Sequence, residues 1–151
     1  MHPRFARNVE RLMPLFDKLK AMKPTFMSEI SVLPKLSGVY LFSEGKKHWY
    51  VGRSRNIRNR LAQHRGLKTD DNQASFAFLL AREEAQFVRG QHTRRALMEI
   101  PRFKNYFDGA KKRIAVMDFR FVEEDDPVSQ ALLEVYCAVV LKTRYNSFET
   151  H

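Results

Sequence analysis

The sequence predicts an α/β fold of the α+β kind: a small three-stranded antiparallel sheet flanked by helices, with an N-terminal helix and a helical insertion. Three observations predict it. The β-branched and aromatic run His48 to Val51 returns across a Glu44-Gly45 turn from Gly38 to Phe42, which makes a hairpin. Ile114 to Val122 alternates Ala115, Met117, Phe119 and Phe121 against Asp118 and Arg120, the period-two pattern of a half-buried strand. Most other apolar residues recur three or four apart, the spacing of helices that bury one face.

A chain of 151 residues is expected to form one domain with a real core. It divides into an N-terminal helical extension over 1–35, a core over 36–66 and 113–148, and an insertion over 67–112. The 27 Lys and Arg against 17 Asp and Glu give a formal charge of +10. That charge calls for an anionic partner, and nucleic acid stands ahead of a membrane surface because no polybasic amphipathic anchor stands out. Cys137 is the only cysteine, so an internal disulfide and a cysteine zinc cluster are excluded. Its apolar setting, LEVYCAVVL, reads as a small buried hydrophobe, and a reducing cytoplasmic setting fits. The N-terminus shows no apolar stretch of signal-peptide type, and no run is long enough to span a bilayer.

In chain order, residues 1 to 7 read as a loose basic arm. Asn8 then caps a helix whose face is Val9, Leu12, Met13, Phe16 and Leu19, with Pro24 beyond its end. This helix covers one face of the domain; the alternative is a dimerisation helix and a homodimer. After the hairpin, Gly52 allows a tight turn into a helix from about Ser54 to His64, capped by Ser54 or Asn56. Ile57 and Leu61 share its buried face, and Arg60 and His64 share a neighbouring one. Arg53, Arg55, Arg58, Arg60 and Arg65 crowd into this short element beside Tyr40 and Tyr50, a surface suited to phosphate.

In the insertion, Asn72 is expected to cap a helix through about Val88, and Thr93 to start another that Pro101 stops after Ile100. Basic residues, Lys111 and Lys112 among them, interleave there with Phe103, Tyr106 and Phe107. A substrate-contacting element and a packed excursion with a solvated face fit this pattern equally. Asp126 and Pro127 open the last helix, which runs to about Leu141 and should be largely buried. Glu134 is the one charged side chain along it, and such a carboxylate needs an arginine partner, hydrogen-bond donors or a cation.

The segment G-V-Y at 38–40, nine residues, then Y-V-G-R-S-x-N-I-x-x-R-L-x-x-H at 50–64 resembles the signature of the GIY-YIG nuclease superfamily, with valine in the middle of both triplets. The resemblance covers roughly residues 36–67 and 113–148. It implies a metal-dependent endonuclease in which Tyr40, Tyr50, Arg60 and Glu134 are catalytic, Glu134 holds one Mg²⁺ or Mn²⁺, and Asn146 completes the site. His64 stands where many members carry another tyrosine, so the general base is Tyr50 or His64. Arg53 supplements Arg60 at the phosphate, and Lys111 and Lys112 supply further contacts to the strand. DNA is expected ahead of RNA as the substrate. The alternative is a basic nucleic-acid-binding module that keeps the fold without cleaving.

Overall fold

The computed structural model describes residues 1–66, 75–87 and 91–148. Their fold is α+β. Seven α-helices are described: α1 (Pro3–Glu10), α2 (Leu12–Ala21), α3 (Ile57–Arg65), α4 (Ser75–Glu84), α5 (Arg94–Met98), α6 (Pro101–Ala115) and α7 (Pro127–Val140). The strands are β1 (Thr25–Phe26), β2 (Gly38–Glu44), β3 (Lys47–Ser54) and β4 (Asp118–Glu123). They form one antiparallel sheet in the order β1-β4-β2-β3. The fourth strand, β1, escaped the sequence pattern because two residues are too few to show a period.

Strand β2 is central and buried from Gly38 to Ser43. Side chains alternate across a strand, so its two sets of residues enter two cores. Val39 and Leu41, with Val51 of β3 and Val122 of β4, pack against Leu15 and Leu19 of α2 and Leu133 and Cys137 of α7. Tyr40 and Phe42, with Phe119 of β4, pack against Ile57 and Leu61 of α3, Phe76 of α4 and Phe107 of α6. The hairpin closes on Gly45 and Lys46, where Gly45 takes φ of 60° at no steric cost. A register shift between Phe42 and Ser43 bends the ladder near that turn.

The structure corrects several local expectations. Residues 1 to 7 are not a loose arm: α1 starts at Pro3, and the His2 ring accepts from Arg4 N at 3.2 Å. Asn8 lies inside α1, where its amide donates to Arg4 O at 3.3 Å and its Oδ1 accepts from Ser129 Oγ at 3.1 Å. Pro14 has no N–H to give Glu10, so α1 and α2 stay separate helices. Arg11, at the break, turns to the buried Glu124 and donates to both carboxylate oxygens at 2.9 and 2.7 Å. Both helices pack toward α7, in keeping with a covering role.

The strand expected from Ile114 begins only at Asp118, because α6 persists through Ala115. Phe103, Phe107, Ala110 and Ile114 are buried at four- and three-residue steps, and this helical period overrides the short alternation at Ala115 and Met117. The helix expected to run to Ile100 ends at Met98, with Glu99 at its C-cap, and Pro101 opens the next, its missing N–H harmless at the first helical position. Thr93 caps α5 by accepting from Ala96 N at 3.1 Å, and Asp126 caps α7 by accepting from Ser129 N at 2.7 Å, both as expected. Asn72 lies outside the described residues. Helix α7 is buried along one stripe only: Val128, Val135, Val139 and Val140 are exposed, so the expectation of a largely buried helix fails.

Phe119 sits between Phe42 and Phe121, with ring centroids 6.4 and 6.3 Å away, and is fully buried. Phe119→Ala is expected to cost about 3–5 kcal/mol in urea unfolding, the range for emptying a packed aromatic site. A loss below about 1 kcal/mol would show that this face of the sheet is not tightly packed.

Candidate functional site

The site forms around β3, the sheet's edge. Tyr40 faces Gly52 across the ladder, and a Cβ at position 52 would collide with the Tyr40 hydroxyl and ring. Gly52 therefore serves a close approach rather than the tight turn expected of it, since β3 continues to Ser54. Asn56 caps α3 by accepting from Asn59 N at 3.1 Å, and Ile57 and Leu61 anchor the helix in the core. That placement brings Arg60 and His64 to the tyrosines.

Tyr40 Oη and His64 Nε2 lie 2.9 Å apart, and both side chains are buried. Burial, helped by the Arg60 charge, pushes the His64 imidazole down to about 3, so it is neutral near pH 7. Arg60 also hydrogen-bonds toward Tyr40, and the imidazole tautomer sets which of Tyr40 Oη and His64 Nε2 donates to the other. Nδ1 has no hydrogen-bond partner among the described residues. Burial lifts the pKa of Tyr40, with the charge of Tyr50 adding to it and Arg60 opposing. Tyr50 is lifted too, first by burial, while Arg60 and Arg94 oppose the rise. Its ring stacks on Phe76 of α4, 4.8 Å between centroids and 6° from parallel.

Glu134 stands on the other side of β3, where alternation also puts Arg53. Arg53 Nε donates to Glu134 Oε2 at 3.0 Å, with 46% and 26% of the two side chains exposed. Burial raises the Glu134 pKa and Arg53 pulls it back. The pair borders a cleft of about 660 Å³ shared with Ser37, Ser54, Arg55 and Gln130. Glu134 is near enough to add to the rise at both Tyr40 and Tyr50. Tyr40, Tyr50, Arg60 and His64 thus form one contact group, and Glu134 with Arg53 forms a second across the strand. Among the described residues no three His, Cys, Asp or Glu side chains converge as a metal cluster.

Of the remaining expected site residues, Asn146 lies beside Tyr50 at the strand edge, and Lys111 and Lys112 stand on α6. Asn146 binds the open backbone edge of β3, donating to Val51 O and accepting from Val51 N, both at 2.8 Å. Its Oδ1 also accepts from Thr143 Oγ1 at 2.8 Å, so the carboxamide holds the edge rather than standing ready for substrate. Lys111 is buried, its Nζ 4.6 Å from the Phe107 ring centroid and 4.0 Å from Asp108 Oδ1, which removes it from the expected surface contacts. Lys112 is exposed on α6. Two residues without a sequence signal border the tyrosines: Arg94, whose charge reaches Tyr50, and Tyr145, whose ring packs against Trp49 and Phe76. No local spacing points to either, because both arrive through tertiary packing.

His64 is held neutral with its pKa below the ordinary 6.5, so the unfolded chain takes up a proton that the fold refuses. Its contribution to stability is present above pH 6.5 and lost as pH falls toward about 3. Urea midpoints from about pH 6.5 to 4 should show His64 adding a slope near 1.4 kcal/mol per pH unit, which His64→Gln removes. An unchanged slope in the variant would place the imidazole in water.

Comparison of the chain with protein-family models, with curated proteins and with solved structures finds no match, so the functional reading rests on the residues and their geometry.

Proposed function

We propose that this chain is a metal-dependent endonuclease that hydrolyses phosphodiester bonds of nucleic acid, DNA ahead of RNA. The observation that carries the reading is the grouping of Arg60, Tyr40 and His64 beside Tyr50, with Glu134 in electrostatic reach. The GIY-YIG resemblance names the same residues, and the charge of +10 suits a polyanion.

The residues fit a single hard cation. Mg²⁺ keeps several waters and takes one or two carboxylates along with substrate phosphates, which a lone Glu134 satisfies. Oε2 is engaged by Arg53, and among the described residues Oε1 has no donor. A divalent ion held there supplies Lewis-acid charge to the scissile phosphate. Arg60 and Arg53 donate to phosphate oxygens in the fork geometry that phosphate accepts. Tyr50 borders an open groove, whereas His64 is fully buried, so Tyr50 is the group that meets the attacking water. Arg60 and Arg94 favour its phenolate and oppose the rise from burial. His64 acts through Tyr40 as a neutral hydrogen-bond partner that holds the hydroxyl in place. Cys137 is buried and its thiol is pushed up to about 12 by burial and Glu134, which keeps it protonated and inert. No described helix is long and apolar enough to cross a membrane.

The second reading, a basic binding module without cleavage, is favoured by the closed Arg53–Glu134 pair and by the raised pKa of both tyrosines. Labelled flap, branched, duplex and single-stranded substrates incubated with Mg²⁺ or Mn²⁺ separate the two. Cleavage is expected with the wild type. Arg60→Ala should slow single-turnover cleavage roughly 10²- to 10³-fold while sparing most of the binding. Glu134→Gln should abolish cleavage in Mg²⁺ and, because its ion pair is partly exposed, cost about 1 kcal/mol or less in stability. A Glu134→Gln protein that cleaves at the wild-type rate would overturn the metal-ligand role. A wild type that binds every substrate and cleaves none would establish the module.

A further inference from the structure

The helical insertion and the C-terminal segment enclose a groove that begins at Tyr50. Its first compartment, about 320 Å³, is bordered by Tyr50, Arg94, Arg82 and Tyr145. Its second, about 380 Å³, continues past Arg82 and Tyr145 to Phe87 and Arg144. The two share Leu79, Arg82, Tyr145, Asn146 and Ser147, so they form one groove running away from the candidate catalytic tyrosine. We infer that this groove binds a single-stranded nucleic acid segment, with a base against Tyr145, flanking phosphates toward Arg82, Arg94 and Arg144, and the strand delivered to Tyr50.

The chemistry matches that ligand. Proteins that hold single strands combine a cationic groove along the backbone with aromatic rings on which bases stack. Three arginines border this groove, and among the described residues Glu83 is its one acidic neighbour, itself paired with Arg144 at 2.8 Å. Each compartment falls near the lower end of pocket sizes for small ligands, roughly 300–1,000 Å³, which suits one nucleotide at a time. A duplex keeps its bases stacked on each other and offers Tyr145 no ring face. Tyr145 is anchored where a base would stack, since its N donates to Trp49 O at 3.1 Å and its ring lies 5.4 Å from Phe76 and 5.8 Å from Trp49. The groove also gives the insertion a role, since Arg82 and Arg94 both come from it. The inference rests on the nuclease reading only for the direction of the strand toward Tyr50.

The test is fluorescence anisotropy with the full chain and no divalent metal, using labelled single-stranded oligodeoxynucleotide, single-stranded oligoribonucleotide and duplex DNA. The single strands should bind more tightly than the duplex, and the DNA and RNA arms show which backbone the groove prefers. Binding should change the fluorescence of Trp49, the only tryptophan, because it lies against Tyr145. Tyr145→Ala should weaken single-strand binding roughly 5- to 150-fold, the equivalent of one lost base stack, and Tyr145→Phe should restore it. Arg144→Glu alters an exposed side chain, tests the groove without disturbing the core, and should weaken binding and reduce its salt dependence. Wild-type affinity in both Tyr145→Ala and Arg144→Glu would overturn the groove, as would a preference for duplex that neither change affects. Wild-type cleavage with groove-insensitive binding would remove the groove and keep the nuclease; groove-dependent binding without cleavage under any metal would do the reverse.

Discussion

Six consecutive buried residues of β2, Gly38 to Ser43, impose the constraint on which the rest of the structure depends. A strand buried on both sides needs apolar cover on each face, and one helical layer cannot supply it. The chain therefore sends α2 and α7 to one face, with α1 packed on those helices, and α3, α4 and α6 to the other. The insertion is consequently part of the core. Phe76, Phe103 and Phe107 come from its helices and join the cluster that holds Tyr40 and Phe42. Arg113 of α6 binds Glu44 of β2 at 2.6 Å and Glu84 of α4 at 2.8 Å, tying the insertion to the hairpin.

This architecture places the candidate site at the sheet's edge. Tyr40 occupies the space that a side chain at position 52 would need, and only glycine permits the approach. The tyrosine then meets His64 under α3, while Arg53 on the opposite side of the same strand meets Glu134 of α7. β3 thus separates two polar groups whose charges still influence one another. Its outer edge does not stay open for pairing with another chain, because Asn146 satisfies both backbone groups of Val51. The same contact draws Tyr145 to the mouth of the groove.

Desolvation sets the character of these groups. It holds His64 neutral, helped by the Arg60 charge, and keeps both tyrosines protonated at neutral pH against the pull of nearby guanidiniums. Tyr50 can become a phenolate only when cationic charge around it outweighs that burial. Arg60 of α3 and Arg94 of α5 are the residues that act in this direction.

The hairpin, the helix after it, the cap at Asp126 and the α+β class are legible in the residues alone, because each is written in short-range spacing and turn chemistry. The sequence also singles out Tyr40, Tyr50, Arg60, His64 and Glu134 as candidates, through a motif confined to neighbouring residues and one conspicuous carboxylate. Long-range packing is what makes Gly52 leave room for Tyr40, buries Lys111, sets Asn146 on a strand edge, and brings Arg94 and Tyr145 to the border of the candidate site. Those facts depend on contacts between residues far apart in the chain. Hydrophobic periodicity records which face of an element is buried, but not which neighbour buries it, so such contacts become legible only once the two helical layers close on the sheet.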